Sequence, residues 1–185
     1  MQYELTTPCT AADLAPLKAG DTVLLSGVVY TARDQAHKRM LEALDKGEKL
    51  PFDLEGSAIY YVGPTPERPG EVIGSAGPTT SGRMDAMSPR LLDLGNKIMI
   101  GKGKRDAAVK EAVVRNGAVY LAALGGAGAL MAQSVKTLEV IAWPDLGCEA
   151  VRRLTVEKMP LTVILDVHGG DLYTSGPAAY LETVK

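Results

Sequence analysis

The sequence predicts a mixed α/β (α+β) domain with a layered core, on three observations. Short runs of apolar and β-branched residues alternate with segments of helical periodicity. Gly- and Pro-rich turn signals separate them, with 20 glycines and 11 prolines in 185 residues. Apolar residues make up 46% and charged residues 23%, which is near the globular average and lacks the bias of a disordered, collagenous or membrane chain. The expectation is a single domain over residues 1–185.

Taken in order, "GDTVLLSGVVYTA" (20–32) reads as a buried strand entered by a turn. A helix follows from Arg33 to Lys46, with His37, Met40, Leu41 and Leu44 on one face. Thr31 and Asp34, three positions apart, match a capping box. "SAIYYV" (57–62) is a short strand, and "GPTPERPG" (63–70) punctuates the chain. Ser88 and Pro89 read as the N-cap and first position of the next helix, closed by Gly95. "KIMIG" (97–101) is a strand, residues 104–115 a helix and "AVYLAAL" (118–124) a strand. "GGAGAL" (125–130) is a small-residue turn suited to close packing of a helix on a sheet. "VKTLEVIAW" (135–143) and "RRLTVEKMPLTVILDV" (152–167) carry strand-rich patterns toward the end.

Twenty basic against 22 acidic residues give a formal charge of −2, with no dense basic run beyond "HKR" (37–39) and "GKGKR" (101–105). Nucleic acid is therefore disfavoured as a partner. The start, "MQYELTTPCTAADL", lacks a basic region followed by an apolar one, and no apolar stretch reaches bilayer length. The expectation is a cytoplasmic chain with no membrane partner. Cys9 and Cys148 form no C-x-x-C pair and are expected to be reduced, with Cys148 a small buried hydrophobe. "GNKIMIGKG" (95–103) fails as a phosphate loop, because Gly103 stands where a Ser or Thr would hold magnesium. "GGAGAL" fails as a dinucleotide loop, because Met131 replaces the last glycine. His37 and His168 are too isolated to indicate zinc, and no metal ligands are assigned to this chain.

The segment "GPTTSGRMD" (77–85) carries chemistry of another kind. Gly77 and Pro78 set a turn, and Thr79, Thr80 and Ser81 can cap a helical turn whose free N–H groups accept an anion. Arg83 adds a planar fork matched to a carboxylate. The plain alternative is a helix cap with a surface arginine. Arg33, in the first turn of its helix, and Lys102, between two glycines after an apolar strand, are further candidates. Their alternatives are a local ion pair and a solvated loop lysine, and for His37 a hydrogen-bonded core histidine.

"SGVVYTARDQAHKR" (26–39), "GPTTSGRMD" and "MIGKGK" (99–104), in that order and at those separations, resemble the C-terminal domain of class I fumarases and the β subunit of two-subunit fumarate hydratases and L-tartrate dehydratases. The likeness extends through "AVYLAALGGAGALMAQSVK" (118–136) and through "LGCEAVRRLTVEKMPLTVILDVHGGDLY" (146–173), which resembles the family's closing strands.

The resemblance implies a swivelling β/β/α domain that closes one side of an active site, opposite a larger α subunit carrying a four-iron four-sulfur (4Fe-4S) cluster. It implies reversible hydration of a C4 dicarboxylate. By the same resemblance Arg33, Thr79, Thr80, Arg83 and Lys102 line the substrate site, and Thr79 is the candidate base. Three cations at separate turns suit a substrate with two carboxylates. A threonine hydroxyl is a poor base unless neighbouring cations and donors support its alkoxide. Elimination of water also needs a Lewis acid on the departing hydroxyl. A cluster with an open iron takes about three thiolates, more than two cysteines supply, so this reading requires the partner. The leading expectation is the β subunit of an iron-sulfur hydro-lyase acting on fumarate and L-malate. The alternatives are an L-tartrate dehydratase β subunit and a non-catalytic anion-binding module.

Overall fold

A computed structural model describes residues 1–183. The chain runs through β1 (Gln2–Thr6), α1 (Ala11–Leu14), β2 (Thr22–Thr31), α2 (Asp34–Asp45) and β3 (Ala58–Tyr60). A 3₁₀ turn (Ser81–Met84), α3 (Ser88–Asp93), β4 (Ile98–Gly101), α4 (Ala107–Asn116) and β5 (Val119–Ala122) follow. It ends with α5 (Gly128–Gln133), β6 (Val135–Ala142), a second 3₁₀ turn (Pro144–Glu149), β7 (Val151–Leu165) and α6 (Leu172–Thr183). Among the described residues no helix is long and apolar enough to cross a membrane.

The seven strands pair in the order β1-β2-β3-β4-β5-β7-β6, and β2 also pairs with β7. Neighbours from β1 to β5 are parallel, whereas β7 is antiparallel to β2, β5 and β6. The ring β2-β3-β4-β5-β7 therefore closes on itself. Its closure depends on β7, whose 15 residues reach along β2 on one edge and along β6 and then β5 on the other.

Strands β3, β4 and β5 are buried on both faces, which is why they read as unbroken apolar runs. Ala58, Tyr60, Ile98, Ile100, Val119 and Leu121 face the core inside the ring. The alternate residues Ile59, Met99 and Tyr120 face outward, against Met40 of α2, Leu91 of α3 and Val109 of α4. Helices α2, α3 and α4 thus cover the outer face of β3, β4 and β5, whereas Leu14 of α1 and Met131 of α5 join the core on the other face, giving a mixed α/β domain.

Several helix ends differ from the sequence reading. The Thr31–Asp34 capping box does not form, because Thr31 is the buried last residue of β2 and its hydroxyl is used across the sheet. It donates to the Ala150 carbonyl (3.2 Å) and accepts from the Arg152 N–H (3.0 Å). Arg33 is the N-cap of α2 and makes no side-chain cap bond. Glu149 Oε2 accepts the Gln35 N–H instead, at 3.0 Å. Met87, not Ser88, is the N-cap of α3. Helix α4 begins at Ala107 rather than at 104, because Asp106 caps it by accepting the Val109 N–H at 2.9 Å. After β7 the chain forms α6 where only strand patterns were expected. Its apolar residues do not gather on one face, so no helical period marked it.

The shift of α4 leaves Arg105 outside the helix and fully buried. Its Nε donates to Asp85 Oδ1 (2.6 Å), its Nη2 to Ser88 Oγ (2.9 Å), and its guanidinium lies over the rings of Tyr61 (5.4 Å) and Tyr120 (5.0 Å). Asp85 Oδ2 accepts the Asp106 N–H at 2.7 Å. The Ser88 hydroxyl donates to the Met84 carbonyl (2.9 Å), which leaves it an acceptor for Tyr61 Oη at 3.2 Å. One buried charge pair thus joins the segment around 81–88 to the loop after β4.

His37 is fully buried, as a core histidine should be. Its Nδ1 lies 3.0 Å from the Arg33 carbonyl, which only accepts, so Nδ1 carries a proton. Burial pushes its pKa down to about 4.

Two predictions follow from these buried polar groups. Arg105→Met strands the Asp85 carboxylate and should cost about 3–5 kcal/mol in urea unfolding, whereas the double variant Arg105→Met with Asp85→Leu should recover a large part of that loss. For His37 the folded pKa lies below the unfolded value of 6.5, so its contribution is fully present above the unfolded pKa and is lost as pH falls toward the folded one. His37→Asn should flatten the decline in stability across that window by about 3 kcal/mol relative to wild type, as read from urea midpoints at stepped pH.

Candidate functional site

The parallel strands end on one side of the sheet, the usual place for a site in such folds. Arg33 lies two residues beyond β2, Tyr61 to Gly63 follow β3, Lys102 follows β4 directly, and Gly125 belongs to the turn after β5. Residues 78–80 are laid across these ends as a further extended segment. Pro78 bridges Val62, the Thr79 N–H donates to the Tyr61 carbonyl (2.8 Å), Thr80 bridges Lys102, and the Ser81 N–H donates to the Lys102 carbonyl (2.8 Å).

This placement corrects the capping expectation. Thr80 holds the N-cap position of the 3₁₀ turn but makes no side-chain cap bond. The N–H groups of Thr79 and Ser81 are already taken by strand-like partners, and a four-residue turn has no helix N-terminus to offer an anion. What the segment offers instead is side chains: among the described residues neither the Thr79 nor the Thr80 hydroxyl has a hydrogen-bond partner. Ser81 turns inward, and its hydroxyl donates to Tyr120 Oη at 2.9 Å, since the tyrosine's own proton goes to the Gly103 carbonyl (2.9 Å). Gly101 makes the close approach possible, because a Cβ there would meet Ser81 Oγ at 2.0 Å and Tyr61 Cδ2 at 2.9 Å.

Arg33 packs against Gly63, where a Cβ would stand 2.6 Å from Nη1. Its Nη2 lies 3.4 Å from Glu149 Oε1 and 3.7 Å from Asp34 Oδ2, and Arg83 Nη1 lies 3.9 Å from the same Asp34 oxygen. The local ion pair anticipated for Arg33 therefore exists, but at distances too long for hydrogen bonds. Arg33 Nε and Asp34 Oδ2 are buried without a hydrogen-bond partner, so the guanidinium retains donors for a ligand. Lys102 is exposed, and among the described residues its ammonium has no ion-pair or hydrogen-bond partner.

The structure thus brings Arg33 and Arg83 together around Asp34, and Thr80 against Lys102. Thr79 is bonded to Tyr61, two residues before the glycine on which Arg33 rests. Arg83 is 56% exposed. Two cavities of about 450 and 440 Å³ flank the 64–75 loop, and none of the five candidate residues lines either. The cluster is an open shelf. Sequence reading missed Glu149, Arg105, Tyr120 and Tyr173, whose hydroxyl accepts the Gly103 N–H at 3.2 Å. Their one sequence signal was the position of Arg105 beside the Lys102 glycines, and the helical reading of 104–115 absorbed it.

The cysteines are free, and they differ from expectation in one respect. Cys9 is buried, and burial, with Asp13 adding to it, pushes its thiol up to about 11. Cys148 is exposed rather than buried, because the 3₁₀ turn that carries it stands out from the sheet. Among the described residues no three His, Cys, Asp or Glu side chains are grouped to hold a metal ion. One high-pKa buried thiol and one distant surface thiol do not make the thiolate set of an iron-sulfur cluster.

The family model described as Fumarase C-terminus matches residues 1–176. The aerobic class I fumarate hydratase of Escherichia coli K12 is 38% identical over 164 residues, 88% of this chain and 30% of that protein. Fumarate hydratase 2 of Leishmania major is 39% identical over 167 residues, 87% of this chain and 29% of its own length. The L(+)-tartrate dehydratase subunit beta of E. coli K12 is 32% identical over 187 residues, 98% of this chain and 92% of the subunit. The chain therefore spans about three tenths of the fumarases it matches but nearly the whole of the tartrate dehydratase subunit. With a family model matched over residues 1–176 and a separate subunit matched over 92% of its length, this chain belongs to the fumarase C-terminus family.

Proposed function

We propose that this chain is the β subunit of a hydro-lyase that hydrates fumarate reversibly to L-malate, working with an α subunit that carries a four-iron four-sulfur cluster. One observation carries the reading: the Pro78–Thr80 segment is laid along the ends of β3 and β4, where Thr80 bridges Lys102, and among the described residues its two threonine hydroxyls have no hydrogen-bond partner.

On this reading one substrate carboxylate meets the guanidinium groups, whose planar forks match it in two-point contact. The second carboxylate meets Lys102. The buried, unpartnered Nε of Arg33 supports the first assignment. Thr79 takes or relays the proton from the carbon between them, its oxyanion favoured by the surrounding cations. A cluster held by the partner would supply the Lewis acidity that the departing hydroxyl needs. Docking of the partner over the shelf excludes water and strengthens each charge contact.

L-Tartrate dehydration is the second reading, favoured by the 92% coverage of a separate tartrate dehydratase subunit. Both substrates share the anchors described, so assays of the copurified complex on malate, fumarate and tartrate decide between them. Activity with neither class of substrate leaves the non-catalytic anion-binding module.

Two variants test the roles. Thr79→Val should lower kcat by about a hundredfold or more with a smaller change in KM, as loss of an acid-base group does. Arg83→Lys keeps the charge but loses the fork, and should raise KM by about tenfold or more. If Thr79→Val melts earlier than wild type but turns over normally, Thr79 is structural and the assignment is wrong. The chain expressed alone and supplied with iron and sulfide should remain inactive, and turnover without a second polypeptide would refute the divided site.

A further inference from the structure

Lys102 differs from the two arginines in having no side-chain partner to aim it. Its direction must come from the backbone that carries it. Before the lysine that backbone is held at the end of β4, where the Ala123 N–H donates to the Gly101 carbonyl (2.9 Å), and the lysine's own carbonyl accepts the Ser81 N–H (2.8 Å). On the C-terminal side stands Gly103 at φ +86°. A glycine in the left-handed region is the softest hinge a chain can have, and here it adjoins the lysine.

Two tyrosine hydroxyls hold that hinge. Tyr120, from β5, donates to the Gly103 carbonyl at 2.9 Å. Tyr173, from the first turn of α6, accepts the Gly103 N–H at 3.2 Å. Both backbone polar groups of one residue are thus gripped by side chains from elements 17 and 70 positions away. The Tyr173 end is itself anchored: Asp171 Oδ1 accepts the Tyr173 N–H (2.9 Å), and Asp171 Oδ2 accepts from Thr174 Oγ1 (3.1 Å) and pairs with Lys110 Nζ of α4 (2.7 Å).

We propose that Tyr173 is a positioning residue for Lys102: with Tyr120 it clamps Gly103 and so sets where the lysine ammonium meets the second substrate carboxylate. The proposal rests on the dicarboxylate reading of the site. It makes the C-terminal helix part of the site's machinery, through one hydroxyl that touches no substrate. The clamp is open to a small change, because Tyr173→Phe keeps the ring and removes only the oxygen that accepts from Gly103.

The test is a double-variant cycle in the assembled α–β complex, with Tyr173→Phe, Lys102→Ala and the pair together. Lys102→Ala should raise KM for the dicarboxylate strongly. Tyr173→Phe should raise KM about three- to tenfold, the range for one net hydrogen bond, while kcat stays within about twofold. In the Lys102→Ala background it should add nothing, since its effect passes through the lysine. Hydrogen exchange at the Gly103 amide should quicken in Tyr173→Phe. A fall in melting temperature with KM unchanged, an equal rise in KM in both backgrounds, or unaltered exchange at Gly103 each overturns the clamp and leaves the dicarboxylate reading standing. A KM indifferent to Lys102→Ala removes the lysine from the site, and the clamp with it.

Discussion

The site depends on one buried charge pair, Arg105 with Asp85. A guanidinium with no exposed surface is costly to remove from water, and it is tolerated here because its donors meet Asp85, Ser88 and two tyrosine faces at once. Each partner belongs to a different piece of the site. Asp85 and Ser88 follow the threonine segment, Arg105 follows the Lys102 loop, Tyr61 follows β3 and Tyr120 lies within β5. The pair ties the stretch that follows the threonines to the stretch that follows Lys102, while the Thr79 and Ser81 N–H bonds lay the Pro78–Thr80 segment along the strand ends.

Around that rigid base the charged groups of the site are only loosely paired. Asp34 stands 3.7 and 3.9 Å from two guanidinium groups, and Glu149 stands 3.4 Å from one. Contacts of this length keep the arginines near their posts without using up their donors. The contrast with Arg105 is informative: each guanidinium nitrogen of the structural arginine has a partner, whereas Arg33 keeps a buried N–H unspent. Two arginines of the same chain thus show in their bonding which one supports the structure and which one is available to a ligand.

The open shelf also bears on energetics. Charge contacts to a substrate on an exposed surface are weakened by water and salt, and they gain strength only when the surface is covered. On the proposed reading, the cations and hydroxyls of this uncovered edge gain their strength when a partner docks over them. The region corresponds to about three tenths of a fumarase and to nearly all of a separate tartrate dehydratase subunit.

The sequence by itself determined what depends on neighbours along the chain. Strands β3, β4 and β5 were legible because burial on both faces makes a strand uniformly apolar, and α2 because burial on one face leaves a 3.6-residue period. The five candidate residues lie in compact motifs, and it was these motifs and their resemblance to a family that singled them out. Tertiary structure alone decided the rest, since the deciding partners lie far away in sequence. Thr31 carries the local signature of a cap, yet a strand more than a hundred residues later claims its hydroxyl. Thr79 and Thr80 also read as caps, but the ends of β3 and β4 draw them into an extended segment. Arg105 reads as a helical surface residue until Asp85 and two tyrosines close around it, and Tyr173 has no motif at all. A local pattern records which conformations a segment favours, whereas the choice among them falls to long-range hydrogen bonds and burial, which no short window of sequence contains.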